Sequence, residues 1–336
     1  MGEKPSITLA CRNYDGTGAI MRGIVKVPGI DLEIVECEDV VDMFARMYKG
    51  EFDVSEMSLA ELIYYTSRGR SEFVGIPVFP SRIFRHGFIF CRKDSAINRP
   101  EDLRDKKIGF VRWVQTATTW VYGTLKDEYG VKPQDETWHI ASMHHWDDVD
   151  PGGGVAPRDG SILKWIEAPG KNPAERACRA LFEGRLDVLG ITEGQISLLL
   201  GNSEVRRLFE NYREVEAAYY RKTKILPIMH VMVIRKSVVE TFPELPINLF
   251  RSFCEAKARA RRWHRTIPSI MQAWTNHYLD EERKIFELDP WAYGLEKNRH
   301  VIDRFLIYCR HAGISERNIS AEELFHPSTW ALEEQL

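Results

Sequence analysis

Short apolar segments and amphipathic segments alternate along the N-terminal part of the chain, which predicts alternating strands and helices. Residues 40–48 place apolar side chains three and four positions apart, the spacing of a helix with one buried face. A second helix is predicted to begin near Ser58, because Glu61 follows three residues later as in a capping box. Strands are predicted over residues 6–11, 30–36, 52–54, 74–77 and 88–92.

The alternation resumes after a polar connector that contains Pro100, and it predicts a second α/β unit. Residues 143–170 hold three consecutive glycines between prolines, which is typical of an irregular surface excursion. A strand-like run at residues 225–234 then carries the chain back toward the first unit. Strands are predicted over residues 107–111, 136–141 and 188–191, and helices over residues 116–129, 174–182, 249–263 and 298–309.

This order of elements predicts an α/β protein of two lobes, each a mixed sheet flanked by helices. The 336 residues suffice for two domains. We expect residues 1–92 and 226–336 to form a discontinuous first lobe that includes the C-terminal helices, and residues 93–225 to form the second lobe. A ligand cleft is expected between the lobes.

The charge balance and the missing motifs exclude several classes of function. Lys and Arg number 46 against 49 Asp and Glu, a net charge of −3, which does not favour a nucleic-acid partner. No apolar run approaches the ~20 residues of a membrane-spanning helix, and no secretion signal is recognisable, so a cytoplasmic protein without a membrane partner is expected. The six cysteines form no CxxC pair, and the sequence lacks dinucleotide-binding, P-loop and GxSxG motifs.

Two predicted helix starts carry hydroxyl or amide side chains and are candidate carboxylate sites. One lies at Ser58 and the other contains Gln115 and Thr116, and each follows a predicted strand. The first turn of a helix has unpaired N–H groups and the positive end of the helix dipole, which attract anions. Ordinary helix capping is the alternative for either start alone, and their symmetric placement favours a shared ligand.

The loop at residues 82–86 is rich in cations. Arg82 and Arg85 offer guanidinium groups for pairing with carboxylates, and His86 offers an imidazole for proton delivery. The alternative is a pair of exposed arginines beside a structural histidine. The two interpretations are evenly balanced, because the apolar neighbours of the loop make an unpaired charge costly.

Three more residues are candidates for the cleft wall. His230 lies within an apolar run and either faces the cleft or is a core histidine bonded to the backbone. Tyr14 and Asp15 follow the first strand, although turns favour such residues anyway. One further cluster of metal-ligating residue types has no recognised metal-binding spacing. We expect it to be a run of solvated charges, and a metal site is the less favoured alternative. Its members are His139, His144, His145, Asp147, Asp148 and Asp150.

At these residues the chain resembles the 4,5-dihydroxyphthalate decarboxylase family over nearly its whole length. The motifs are FDVSEMSL at residues 52–59, GIPVFPSRIFRH at residues 75–86, EYGV at residues 128–131 and PIMHVMVI at residues 227–234. The resemblance implies a type II periplasmic-binding-protein-like fold and a cytoplasmic enzyme of aromatic compound catabolism. The implied reaction is non-oxidative loss of CO₂ from a hydroxylated aromatic carboxylic acid without an organic cofactor, with a divalent metal left open.

With this resemblance, the candidate residues acquire expected roles. His86 or His230 would supply a proton, and Arg82 and Arg85 would hold the carboxylate. The expected substrate-binding residues are Tyr14, Asp15, Ser58, Arg85, Arg112, Gln115 and Thr116.

The chain departs from the family pattern at Gly16 and Gly18, where relatives carry arginines, and at Arg112, where relatives carry an acid. The expected substrate is therefore 4,5-dihydroxyphthalate or a related small aromatic carboxylate, and homo-oligomerisation is left open. The main alternative is a non-catalytic solute-binding protein of the same fold for a small aromatic or carboxylated ligand. A pyrimidine-synthesising relative is disfavoured, because its Cys-rich iron-binding segment is missing.

Overall fold

The computed structural model describes residues 4–131, 137–143, 155–266, 272–287 and 289–334. Its strands are β1 (Ser6–Cys11), β2 (Asp31–Glu36), β3 (Val54–Ser58), β4 (Phe73–Ile76), β5 (Ile89–Arg92), β6 (Lys107–Arg112), β7 (Thr137–Ser142), β8 (Ile162–Trp165), β9 (Val188–Gly190), β10 (Val205–Arg207) and β11 (His230–Arg235). Its helices are α1 (Gly18–Met21), α2 (Val40–Tyr48), α3 (Leu59–Ser67), α4 (Thr116–Tyr129), α5 (Pro173–Phe182), α6 (Tyr212–Thr223), α7 (Lys236–Thr241), α8 (Leu245–Thr266), α9 (Thr275–Ile285) and α10 (Leu295–His311).

The strands form two mixed sheets. The first sheet has the order β2-β1-β3-β11-β4, with β1 parallel to β2 and β3, and β11 antiparallel to both of its neighbours. The second sheet has the order β10-β5-β9-β6-β7-β8, with β6 to β8 parallel and β5 antiparallel to β9. The parallel pairs come from strand-helix-strand units, whose crossovers place helices against the sheet faces.

Two crossings of the chain connect the sheets and pair with each other. Residues 81–83 leave the first sheet and residues 227–229 return to it in the opposite direction. Backbone bonds join them, from the Ile83 N–H to the Pro227 carbonyl at 3.1 Å and from the Met229 N–H to the Ser81 carbonyl at 2.9 Å. The Trp120 indole N–H also donates to the Ile228 carbonyl at 3.0 Å, which fixes the crossing to α4.

Local sequence explains where the helices that flank the sheets begin and end. Asp39 caps α2 by accepting from the Val41 N–H at 2.8 Å, and α2 buries its Met43, Phe44 and Met47 face. Asn172 caps α5 in the same way, with proline at the first helical position. Helix α4 ends at Tyr129 and is followed by Gly130, whose φ of 65° suits glycine.

Helix α10 packs against helices that follow strands of both sheets. The Phe305 ring of α10 stacks on Trp120 of α4 at 4.9 Å between ring centroids. The Trp113 indole N–H donates to the Ala312 carbonyl at 2.9 Å, just beyond the end of α10. This packing buries α10 between the helices that follow β3 and β6, and ties the chain end to the junction of the sheets.

Most predicted elements are present, and several expectations need correction. Strand β5 was expected in the first lobe, but it pairs with β9 and β10, so the chain changes sheets before residue 89. The predicted excursion over residues 143–170 contains the edge strand β8. Its side chains do not alternate between buried and exposed positions, so the sequence pattern did not predict a strand there. Strand β10 and helix α6 were not predicted, and the last strand begins at His230 because the preceding residues form the crossing.

A further correction concerns the start of α3. Ser58 is the residue before the helix, as expected, but its side chain makes no capping bond to α3. Its hydroxyl contacts Thr116 instead. The predicted capping box is therefore not formed at its serine, because a partner from the other sheet takes the hydroxyl.

Among the residues that the model describes, no helix combines the length and the apolar character needed to cross a bilayer.

The packing of α4 on α10 generates a stability prediction for Gly123→Ala. A Cβ at Gly123 would lie within 2.4 Å of three ring atoms of Tyr308, and the Tyr308 hydroxyl is held by Asp127 at 2.9 Å. The ring has to move, so we expect a net loss of about 1–2 kcal/mol in the free energy of unfolding despite alanine's better helix propensity. Urea denaturation measures it.

Gly194→Ala is the matched control, because nothing in the described structure lies within 4 Å of the added Cβ. We expect its stability to stay within about 0.5 kcal/mol of the parent. An equal loss in both variants would contradict the packing argument.

Candidate active site

A cavity of about 640 Å³ lies between the two sheets, at the ends of β3 and β6. Both halves of the molecule contribute polar side chains to its wall. Those from the first half include Arg12, Ser58 and His230, and those from the second half include Arg85, Arg112, Gln115, Thr116 and Glu193. Six of the ten residues expected at the site line it: Ser58, Arg85, Arg112, Gln115, Thr116 and His230.

Two helix starts meet at the floor of this cavity. The Ser58 and Thr116 hydroxyl oxygens lie 2.8 Å apart, and the Ala60 N–H donates to the Thr116 hydroxyl at 3.0 Å. Thr116, the first residue of α4, therefore caps α3 from the opposite sheet. The positive dipole ends of both helices point toward one place, which favours an anion there.

His230 is held by a buried carboxylate. Strand β11 places His230 opposite Ser58, so Glu56 is its diagonal neighbour on the same sheet face. The His230 Nδ1 and Glu56 Oε1 atoms are 2.5 Å apart. The Tyr14 hydroxyl donates to the same oxygen at 2.7 Å, and the Arg12 backbone N–H donates to Oε2 at 3.2 Å.

The Glu56 side chain is 0% exposed, yet it keeps its negative charge. Burial pushes its pKa upward, but the charge and hydrogen bond of His230, with the hydrogen bonds from Tyr14 and Arg12, hold the pKa below its ordinary value. Because Nδ1 of His230 is bonded to Glu56, Nε2 is the ring nitrogen that can contact a molecule in the cavity.

Arg85 is the buried cation of the second half. Only 3% of its surface is exposed, and burial lowers its pKa despite the Glu193 carboxylate 3.0 Å from Nη2. The two residues meet because Arg85 precedes β5 and Glu193 follows its antiparallel neighbour β9. The guanidinium lies over the Phe88 ring at 4.5 Å, and within the described structure Nε and Nη1 have no hydrogen-bond partner.

Arg112 and Gln115 form the wall beside the start of α4. The Thr118 hydroxyl donates to the Arg112 carbonyl at 2.8 Å and contacts the Gln115 amide oxygen at 3.2 Å, which fixes the turn. Burial raises the pKa of Glu61 well above its ordinary value, and the Arg112 charge opposes this. These residues add polar groups and one positive charge near the helix starts.

Arg82 does not reach the cavity, contrary to expectation. It lies in the first crossing, where its guanidinium donates to the Ala292 carbonyl at 3.0 Å, to Asn298 Oδ1 at 2.5 Å and to the Leu226 carbonyl at 3.4 Å. Burial lowers its pKa to about 10. Arg82 therefore ties the crossings to α10 and has a structural role.

His86 also lies outside the cavity. Tyr129, Phe209 and Tyr219 surround its ring with centroids 5.1–6.1 Å away, and it is 3% exposed. Burial lowers its pKa to about 4, so it is neutral at pH 7 and is a poor proton donor. The expected role as the acid does not fit this position.

Tyr14 and Asp15 are separated by the turn that they share. Tyr14 supports Glu56 from behind the cavity wall. Asp15 is exposed and pairs with His264 Nε2 at 3.3 Å, beside a second cavity near Lys257. Tyr14 thus acts on the site through Glu56, and Asp15 lies apart from it.

The described residues contain no cluster of three or more side chains suited to a metal ion. His139 lies in β7. The other members of the sequence cluster, residues 144–150, lie outside the described residues.

Sequence reasoning missed Glu56 and Glu193. Glu56 had a signal, because it is the only charged residue in the strand VSEMS and it occupies a position that is buried in the sheet. Glu193 had no comparable signal, since its contact with Arg85 depends on the pairing of β5 with β9.

The chain is similar to two decarboxylases, and no family model matches it. A 4,5-dihydroxyphthalate decarboxylase from Comamonas testosteroni is 31% identical over 329 residues, which cover 97% of this chain and 98% of that protein. A protein of the same name from Pseudomonas putida is 35% identical over 136 residues, 40% of this chain and 52% of that protein.

Solved structures show the fold. The periplasmic aliphatic sulphonate-binding protein SsuA from Escherichia coli superposes with a TM-score of 0.55 at 13% identity, covering 99% of this chain and 96% of that one. The alkanesulfonate-binding protein SsuA from Xanthomonas axonopodis pv. citri, bound to MOPS, gives 0.52 at 12% identity and covers 97% and 99%. The predicted two-lobed periplasmic-binding-protein-like fold is confirmed.

The surroundings of His86 generate a prediction about pH and stability. Glu216 accepts from the Gly87 N–H at 3.1 Å, and burial raises its pKa to about 7. The folded protein therefore binds this proton more tightly than the unfolded chain, so the stabilisation is present below pH 4.5 and is lost as the pH rises to about 7. His86, with its pKa lowered to about 4, has the opposite sign and gains stability up to pH 6.5.

Glu216→Gln removes the pH-dependent contribution of Glu216 to stability and keeps that of His86. We expect the free energy of unfolding of this variant, relative to the parent, to rise by up to about 3 kcal/mol between pH 4.5 and pH 7. Urea denaturation in steps of pH measures the difference, with the exposed Glu214→Gln on the same helix as control. A difference that does not change with pH would show that Glu216 is not perturbed.

Proposed function

Because the chain belongs to the 4,5-dihydroxyphthalate decarboxylase family, we propose that it releases CO₂ from a hydroxylated aromatic carboxylic acid bound between its two lobes. The observation that carries the proposal is the meeting of an acid and an anion anchor in one cavity. His230 with its Glu56 partner comes from the first sheet, and Arg85 comes from beside the second. 4,5-Dihydroxyphthalate is the first candidate substrate.

Arg85 and the two helix starts would hold the substrate carboxylates. A buried guanidinium with unpaired N–H groups needs acceptors, and a carboxylate supplies them. The Ser58 and Thr116 hydroxyls and the helix dipoles favour negative charge at the floor. The apolar side chains of Phe44 and Met229 line the same cavity and would cover the ring faces.

The substrate hydroxyl drives the reaction. In 4,5-dihydroxyphthalate each hydroxyl lies para to a carboxylate, so its lone pair can push electron density onto the carbon that bears that carboxylate. This carbon takes a proton, and the bond to the carboxylate then breaks. The bonding electrons restore the aromatic ring, and CO₂ leaves. One proton is consumed for each CO₂ released, and no oxidant or organic cofactor enters the balance.

His230 would give that proton from Nε2. Glu56 holds the imidazole through Nδ1, so the proposed acid is oriented before the ring arrives. After CO₂ leaves, His230 is neutral and takes a proton from water. Closure of the lobes over the ring would exclude water and strengthen these electrostatic contacts.

A panel of hydroxylated aromatic and pyridine carboxylates tests the proposed function. We expect CO₂ release from at least one member, with 4,5-dihydroxyphthalate the first to try, and phthalate should give none because it lacks the hydroxyl. The measurement is CO₂ evolution with purified protein. Tight binding of panel members with no CO₂ from any of them would favour a solute-binding protein instead.

His230→Gln tests the proton donor. The variant keeps a polar side chain but cannot deliver a proton, so we expect kcat to fall about a hundredfold or more while KM changes little. Steady-state kinetics of CO₂ release measures both constants.

His264→Gln is the control, because this histidine pairs with Asp15 outside the cavity and should keep the parent's kcat. Glu56→Gln should lower kcat as well, since the imidazolium loses its counter-charge. Full activity in His230→Gln would remove His230 from the mechanism.

A further inference from the structure

We infer that Glu193 competes with the substrate carboxylate for Arg85 and thereby sets the affinity and selectivity for anionic ligands. The inference deepens the proposed function and rests on it for the class of ligand, an aromatic carboxylate. It assigns Glu193 a gating and positioning role at the anion anchor.

The first support is the unequal burial of the ion pair. The Arg85 side chain is 3% exposed, whereas Glu193 is 35% exposed and lines the cavity. Both residues line the cavity, and Glu193 is the more accessible member of the pair. A ligand that approaches the guanidinium from the cavity therefore meets the Glu193 carboxylate as well.

The second support is the incomplete pairing of Arg85. Glu193 takes only Nη2, and Nε and Nη1 have no hydrogen-bond partner in the described structure. Buried N–H groups without acceptors are rare and costly. The anchor can therefore accept more negative charge than Glu193 supplies, and two carboxylates crowded at one guanidinium would repel each other.

The third support shows which partner is able to move. Arg85 lies over the Phe88 ring and is joined to β5 by the single 3₁₀ turn His86–Phe88, so its position follows the sheet. Glu193 begins a short 3₁₀ turn, and the next residue, Gly194, has nothing within 4 Å of its Cβ position in the described structure. The Glu193 segment has room to shift while Arg85 stays in place.

The charges that line the cavity determine which ligands can displace Glu193 from Arg85. Three arginines and four carboxylates line it, the carboxylates being Glu38, Asp39, Glu175 and Glu193. The arginines alone do not give the wall an excess of positive charge. A ligand with one carboxylate gains too little binding free energy at Arg85 to offset the loss of the Arg85–Glu193 ion pair. A ligand with two carboxylates can bind the helix starts and Arg85 at the same time.

The test measures binding of phthalate by isothermal titration calorimetry. Phthalate has two carboxylates and no ring hydroxyl, so its binding can be read without turnover. We expect Glu193→Gln to bind phthalate about tenfold more tightly than the parent, because glutamine is a weaker competitor for the guanidinium. Weaker or unchanged binding would overturn the inference and would indicate that Glu193 assists the ligand or does not act on it.

Glu175→Gln is the matched control. It removes one negative charge from the same cavity wall, but its carboxylate accepts from the Lys171 N–H at 2.9 Å and does not contact Arg85. We expect less than about a threefold change in phthalate affinity. An increase as large as that of Glu193→Gln would assign the effect to net charge and would contradict competition at Arg85.

An Arg85→Gln background completes the test. With the guanidinium removed, Glu193→Gln should no longer change phthalate affinity, and thermal unfolding shows that each variant is folded. Persistence of the tenfold effect would contradict the inference. The two hypotheses can fail separately. Tighter phthalate binding in Glu193→Gln, with no CO₂ from any hydroxylated acid, would support this inference and contradict the proposed function. CO₂ release by the parent, with unchanged phthalate binding in Glu193→Gln, would support the proposed function and contradict this inference.

Discussion

The negative charge of Glu56 is the constraint on which the site depends. A carboxylate with no exposed surface is tolerated only when other groups compensate it, and Glu56 receives hydrogen bonds from the loop after β1 and from the start of β11. These groups are the Tyr14 hydroxyl, the Arg12 backbone and His230. The compensation fixes the loop after β1, the middle of β3 and the start of β11 against one another. The position of the proposed acid follows from this local neutralisation.

The paired crossings extend that constraint to the other half of the molecule. Residues 227–229 run antiparallel to residues 81–83 and lead directly into His230, so the proposed acid is placed by the same segment that joins the lobes. Arg82 fastens both crossings to Asn298 on α10. The Arg82 guanidinium thus stabilises the connection between the lobes, whereas the neighbouring Arg85 lines the cavity.

The sequence was sufficient for the alternation of strands and helices, for the fold and for six of the residues that line the cavity. It was insufficient where a role depends on pairing between distant strands. Glu193 matters only because β9 lies beside β5, and β5 itself was expected in the wrong lobe. His86 and Arg82 have the right chemistry for a site, but their direction is set by aromatic packing and by backbone acceptors that no local pattern reveals.

The division of the site between the sheets has a geometric consequence. Glu56 and His230 are anchored to one sheet, and Arg85 and Glu193 are anchored beside strands of the other. A rigid rotation about the crossings would preserve the internal distances of each pair and change only the span between imidazole and guanidinium. The closure angle would then set the span of the site, and rings of different width would be accommodated by rotation of whole bodies.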